Sequence, residues 1–114
     1  MIKIEGVDPN MIANNLIPFE PTHPGEIIKD EIEYRGLSQR KLAAQMGISY
    51  MLLNEILNGK RAVSAHYALL FEAALGIPAQ IWIRMQTKYD LQVAKSDKSF
   101  LERLANIRKI AAAL

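Results

Sequence analysis

Gln39-Arg40-Lys41-Leu42-Ala43-Ala44-Gln45-Met46-Gly47-Ile48-Ser49-Tyr50-Met51-Leu52-Leu53-Asn54-Glu55-Ile56-Leu57-Asn58 sets two short amphipathic segments on either side of one glycine. Ser38 is a good N-cap for the first, because its hydroxyl can accept a hydrogen bond from an unpaired amide of the opening turn. Leu42, Ala43 and Met46 share one face of that helix, and Gly47 stops it. Ser49 is the next N-cap, Leu53, Ile56 and Leu57 give the apolar stripe of a second helix, and Asn58-Gly59 closes it. The pattern predicts a helix-turn-helix. Ala43 is small where the helices cross, Gly47 takes a turn conformation that a side chain opposes, and Leu42, Met46, Ile48, Leu53 and Ile56 lock the angle.

Both flanks continue in helices. Upstream, Thr22-His23-Pro24-Gly25-Glu26 is a turn in which Thr22 or His23 caps a helix running to Arg35, ended by Gly36. Downstream, Ser64 caps a helix carrying Ala68, Leu69, Phe71 and Leu75 and stopping at Gly76, and Pro78 opens another with Ile81, Trp82, Met85 and Tyr89 along one stripe. Phe100, Leu104, Ile107, Ala111 and Leu114 then recur at heptad spacing. Residues 1–20 read as an N-terminal arm with a helical turn or two, 21–97 as the helix-turn-helix domain, and 98–114 as a C-terminal amphipathic helix of the same compact unit. The fold class is all-α, a bundle of five or six helices with a C-terminal helical extension.

With 114 residues, half of them hydrophobic and 23% charged, the chain suits one domain with a packed core and not a disordered or low-complexity segment. It has no cysteine, which excludes disulfides, thiolate metal sites and a cysteine nucleophile. No uncharged apolar run approaches the roughly 20 residues of a membrane span, and the N-terminus does not read as a secretory signal, so a cytoplasmic location is expected. Residues 1–34 carry a net charge of −5, residues 35–61 +4 and residues 62–114 +3, which sum to +2. The basic block coincides with the helix-turn-helix, where an anionic partner is expected.

Removing the inward residues leaves Ser49, Tyr50, Met51, Leu52, Asn54 and Glu55 outside on the second helix, a segment of about 15 Å that suits a DNA major groove. Ser49, Tyr50, Met51, Asn54 and Glu55 are the candidate base readers, since an Asn can bond an adenine edge in two places and Met51 or the Tyr50 ring can pack on a thymine methyl. Gln39, Arg40, Lys60 and Arg61 are the candidate phosphate contacts. Glu26, Asp30 and Glu33 share one face of the first helix. Their sign is wrong for DNA, so that face should point away from the duplex, either solvated or meeting a basic protein partner. His23 and His66 lack the neighbours of a metal site or catalytic triad, and no glycine-rich phosphate loop occurs, so neither an enzyme nor a cofactor is expected.

His23-Pro24-Gly25-Glu26, Leu37-Ser38-Gln39 with Leu42-Ala43, Gly47-Ile48-Ser49, Asn58-Gly59-Lys60-Arg61, and Trp82 with Gln86 and Tyr89-Asp90-Leu91 together resemble the HigA-type antitoxins, Xre-like helix-turn-helix proteins of toxin–antitoxin modules. The resemblance spans roughly residues 18–95 and implies a lambda-repressor-like bundle. It also implies a dimer that represses its own operon on palindromic double-stranded DNA and neutralises a partner ribonuclease toxin. Because one helix-turn-helix covers few base pairs, a homodimer is also expected on physical grounds: with Leu42, Met46, Ile48, Leu53, Ile56, Leu69 and Phe71 assigned to the core, Ile81, Trp82, Met85, Tyr89, Phe100, Leu104 and Ile107 are surplus apolar residues for its interface. The alternatives are a helical protein-interaction module and a transcriptional regulator without a toxin.

Overall fold

The computed structural model describes residues 21–114, and the reading of residues 1–20 as an arm lies outside the described residues. Six helices follow in order: α1 (Pro24–Tyr34), α2 (Gln39–Met46), α3 (Tyr50–Leu57), α4 (Ala65–Leu75), α5 (Ala79–Lys95) and α6 (Lys98–Ala113). Among the described residues there is no strand, and no helix is long and apolar enough to cross a membrane.

Capping sets the boundaries. The side chains of His23, Ser38, Ser49, Ser64 and Asp97 each accept a hydrogen bond from an amide two or three residues further on. Gly47 and Gly76 end α2 and α4 in the left-handed region, at φ of 71° and 77°. Pro78 provides no side-chain cap for α5. Instead Glu72, in α4, reaches across the turn, and its Oε2 accepts from the Ala79 amide at 2.8 Å.

The core is built from α1 to α5. Ile28 and Ile32 of α1 meet Leu42 and Met46 of α2, Leu53, Ile56 and Leu57 of α3, Phe71 of α4 and Trp82 of α5. Phe71 and Trp82 are its largest members, and truncating either to Ala is worth about 3–5 kcal/mol. Three expectations need correction. Leu69, assigned to the core, is 58% exposed, because the inward face of α4 is already filled by Ala68, Phe71 and Leu75. Leu52, assigned to the outer face, is half-buried against the core. Trp82, assigned to a dimer interface, is 2% exposed inside the monomer core. Met85 packs on that core, and Tyr89 stands edge-on to His23 with ring centroids 4.8 Å apart, so the stripe of α5 faces inward and, of its four expected interface residues, only Ile81 is exposed.

α6 differs from the rest. It has no buried residue and packs chiefly against α5, leaving Phe100 and Ile107 exposed and Leu104 half-covered.

His23 joins three elements of the fold. Its Nδ1 accepts from the Gly25 amide at 2.9 Å, its ring lies against Tyr89 of α5, and a Cβ placed on Gly59 would touch it at 3.5 Å. An accepting Nδ1 requires the neutral imidazole. Burial pushes the pKa of His23 below its ordinary 6.5, with Glu26 and Asp90 pulling the other way. The unfolded chain therefore takes up the proton first on acidification. Stability is complete above about pH 6.5, declines as pH falls through 6.5 toward the folded value, and levels off below it. Urea midpoints measured from about pH 7.5 to about pH 5.5 should fall for the wild type and stay flatter for His23→Asn, which keeps a capping side chain but cannot titrate.

Candidate nucleic-acid interface

The turn between α2 and α3 is fixed by backbone geometry. The left-handed Gly47 sends its N–H to the carbonyls of Ala43 and Ala44, and the Ile48 N–H donates to Ala43 at 3.0 Å. Ala43 is buried at the crossing of the two helices. Ser49 Oγ accepts from the Leu52 amide at 3.0 Å, so this candidate base reader is also the cap of α3 and keeps its hydroxyl hydrogen and one lone pair for a ligand.

Eight residues make α3 about 12 Å long. Leu53, Ile56 and Leu57 are turned into the core, which rotates Tyr50, Met51, Asn54 and Glu55 outward at about 100° per residue. Met51 is 72% exposed and projects furthest without a partner among the described residues. Tyr50 is held: the Arg40 guanidinium lies 4.3 Å from its ring centroid, a cation–π contact worth about 0.5–1 kcal/mol at an exposed site. This contact ties the first turn of α2 to the first turn of α3, bringing a candidate phosphate contact and a candidate base reader together. Asn54 is tied to Asn58, whose Nδ2 donates to the Asn54 main-chain carbonyl at 2.9 Å and to its Oδ1 at 3.1 Å.

The basic rim is less uniform than its composition. Arg61 Nη2 stands 3.5 Å from Glu55 Oε2, so part of its charge is answered within the protein, whereas Lys60 is exposed with no ion pair among the described residues. Gln39 opens α2 with its Oε1 buried and unbonded among the described residues, so its amide NH2 is the end left for a ligand.

The acidic face of α1 does not lie remote from this surface. Glu26, Lys29, Asp30 and Glu33 share a depression with Leu57 and Asn58, at the C-terminal end of α3. α1 packs beside α3, so this acidic face borders the C-terminal end of its neighbour.

Sequence reasoning noted Gln86 only as part of the family resemblance and missed its structural role: it is buried. Its Oε1 accepts from the Val63 amide at 2.8 Å and its Nε2 donates to Asp90 at 2.9 Å. Val63 follows Lys60 and Arg61, so this bond pins the loop that carries them. A glutamine in a helix stripe otherwise made of Trp82, Met85 and Tyr89 was the available signal.

The turn geometry, the outward face of α3 and the cations around it define a DNA-binding helix-turn-helix protein. A helix-turn-helix family profile matches residues 28–82. Virulence-associated protein I of Dichelobacter nodosus is 42% identical over 77 residues, 67% of this chain and 71% of that protein. The addiction module antidote protein of the HigA family from Coxiella burnetii superposes with a TM-score of 0.66 at 31% identity, covering 75% of this chain and 95% of that one. The Pseudomonas aeruginosa antitoxin HigA, whose structure was solved with the higBA promoter, gives 0.64 at 29% identity, covering 83% and 96%. The chain belongs to the HigA-type antitoxin family of Xre-like helix-turn-helix proteins.

Gln86→Leu should lower stability by about 1–3 kcal/mol, because the Val63 N–H is left buried without a partner. Urea unfolding checks the loss. Amide exchange should accelerate at Val63 well above its rate in the wild type.

Proposed function

We propose that this protein is an antitoxin that represses its own operon by binding a palindromic operator as a homodimer, and that neutralises a partner toxin of the ribonuclease type. The observation that carries the DNA reading is the outward face of α3, where Tyr50, Met51, Asn54 and Glu55 stand beyond a core that fixes the helix, flanked by Arg40, Lys60 and Arg61. Support comes also from the related Pseudomonas aeruginosa antitoxin, which binds promoter DNA. In this reading Tyr50, Met51, Asn54 and Glu55 face base edges, with the Ser49 hydroxyl beside them, and Gln39, Arg40, Lys60 and Arg61 face phosphates. The toxin reading rests on family membership, and Glu26, Asp30 and Glu33 are the surface we assign to a basic toxin. A toxin seated there would adjoin the end of α3 and so bear on DNA binding.

Fluorescence anisotropy with the chain's own upstream DNA and a scrambled duplex tests this function. Lys60→Ala should weaken binding to both duplexes equally and reduce the slope of log affinity against log salt by about one. Equal affinity of the wild type for the two duplexes removes the operator-reading function.

For the dimer, the inward turn of α5 leaves α6 as the surface to test. Phe100, Leu104 and Ile107 are the interface residues retained from the sequence reading, and Leu101 and Ile110 are exposed apolar residues on the same helix. A chain ending at Asp97 should sediment as a monomer and lose operator affinity by more than tenfold, since each half-site would then bind alone. A truncated chain that is dimeric with full operator affinity removes α6 from the interface.

A further inference from the structure

The pair formed by Asn54 and Asn58 decides which end of an amide is offered to DNA. Asn58 Nδ2 donates at 2.9 Å to the main-chain carbonyl of Asn54. A carbonyl oxygen only accepts, so the end of Asn58 that folds back on α3 is its NH2. That same NH2 lies 3.1 Å from the Asn54 side chain. The Asn54 atom facing it must accept, which makes it Oδ1. The Asn54 amide is thereby oriented, with Oδ1 drawn toward Asn58 and the two hydrogens of Nδ2 left for a ligand. Both residues lie on the side of α3 away from the buried Leu53, Ile56 and Leu57.

An asparagine that reads adenine in two places uses both ends of its amide: Oδ1 accepts from the N6 amine while Nδ2 donates to N7. With Oδ1 held by Asn58, the accepting half of that pair is directed away, and the adenine amine would face a second donor. Guanine presents two acceptors in the major groove, N7 and O6, and can take hydrogens from a donor alone. We propose that Asn58 is a positioning residue that makes Asn54 a donor-only reader, so that the operator base beneath Asn54 is guanine in preference to adenine. The inference rests on the reading of α3 as the base-reading helix. It specifies the base class that this helix selects, and reverses the adenine contact expected from an isolated asparagine.

The test uses the full chain and its operator, with each half-site guanine replaced in turn by adenine, or by 7-deazaguanine, which lacks the N7 acceptor. The wild type should lose about tenfold in affinity on both replacements at one guanine per half-site, and Asn54→Ala should become indifferent there while keeping its discrimination at other positions. Asn58→Asp should likewise weaken the preference at that base. Its carboxylate only accepts, so it can bond neither the Asn54 main-chain carbonyl nor Oδ1, and the Asn54 amide is released to turn either end outward. The added negative charge lowers affinity for all duplexes, so the readout is the guanine-to-adenine ratio at that base and not affinity itself. Asn58→Ala should reduce that ratio to less than about threefold, with circular dichroism confirming that the variant is folded. The positioning role is overturned if Asn58→Ala and Asn58→Asp both keep the wild-type ratio. An adenine preference of the wild type at the base sensed by Asn54 overturns the donor-only assignment. If the wild type prefers its operator but Asn54→Ala changes discrimination at no base, Asn54 is not a reader and the inference fails while operator binding stands. Failure to prefer the operator at all overturns both.

Discussion

The opening turn of α1 and the closing turn of α3 touch so closely that nothing larger than glycine fits between them. A Cβ on Gly25 would lie 1.9 Å from the carbonyl oxygen of Ile56, well inside contact distance. His23 stands beside this contact, capping α1, facing Tyr89 of α5 and meeting Gly59 at the exit of α3. The end of α3 is therefore registered against α1 and α5 at one point, while Gly47 and Ala43 register its beginning against α2. A short helix fixed at both ends cannot rotate about its axis, and its exposed side chains keep their directions. Eight residues alone would be a marginal helix in water.

With the axis fixed, the outer face of α3 is organised by local pairs. Arg40 lies on Tyr50, Asn58 holds Asn54, and Arg61 stands near Glu55. Each pair is weak by itself at an exposed site. Together they confine three of the outward side chains before any ligand arrives, which lowers the side-chain entropy lost on binding. Met51 is the exception: flexible and unpaired among the described residues, it is suited to an apolar contact that tolerates variation.

The helix-turn-helix was legible because its signals are local. Ser38, Ser49, Ser64, Gly47 and Gly76 act within a few residues of themselves, and the structure finds each as the cap or stop that the sequence predicts. What escaped was set by distant partners. The stripe of Trp82, Met85 and Tyr89 was visible, but periodicity does not say which surface covers an apolar face, and here the monomer's own core and His23 do. Gln86, Glu72 and Asn58 act through bonds to Val63, Ala79 and Asn54, and the first two link separate elements of the fold. Leu69 and Leu52 exchanged places because two leucines at plausible helical positions differ only in what lies opposite them. The acidic face of α1 was legible as a cluster, and its closeness to Asn58 was not, since that depends on how two helices cross.

The bond from Glu72 to the Ala79 amide also bears on distance. It spans the short connection through Gly76 and Pro78, so it braces the angle between α4 and α5. α5 has 17 residues and is about 25 Å long, and it connects the DNA-facing half of the molecule to α6. Swinging such a rod by about 10° moves its far end by about 4 Å, more than the roughly 3.4 Å between successive bases on one strand. Were two copies joined through α6, as proposed, any change in the angle that Glu72 helps to brace would be carried along α5 and would alter the spacing of the two α3 helices by about a base step.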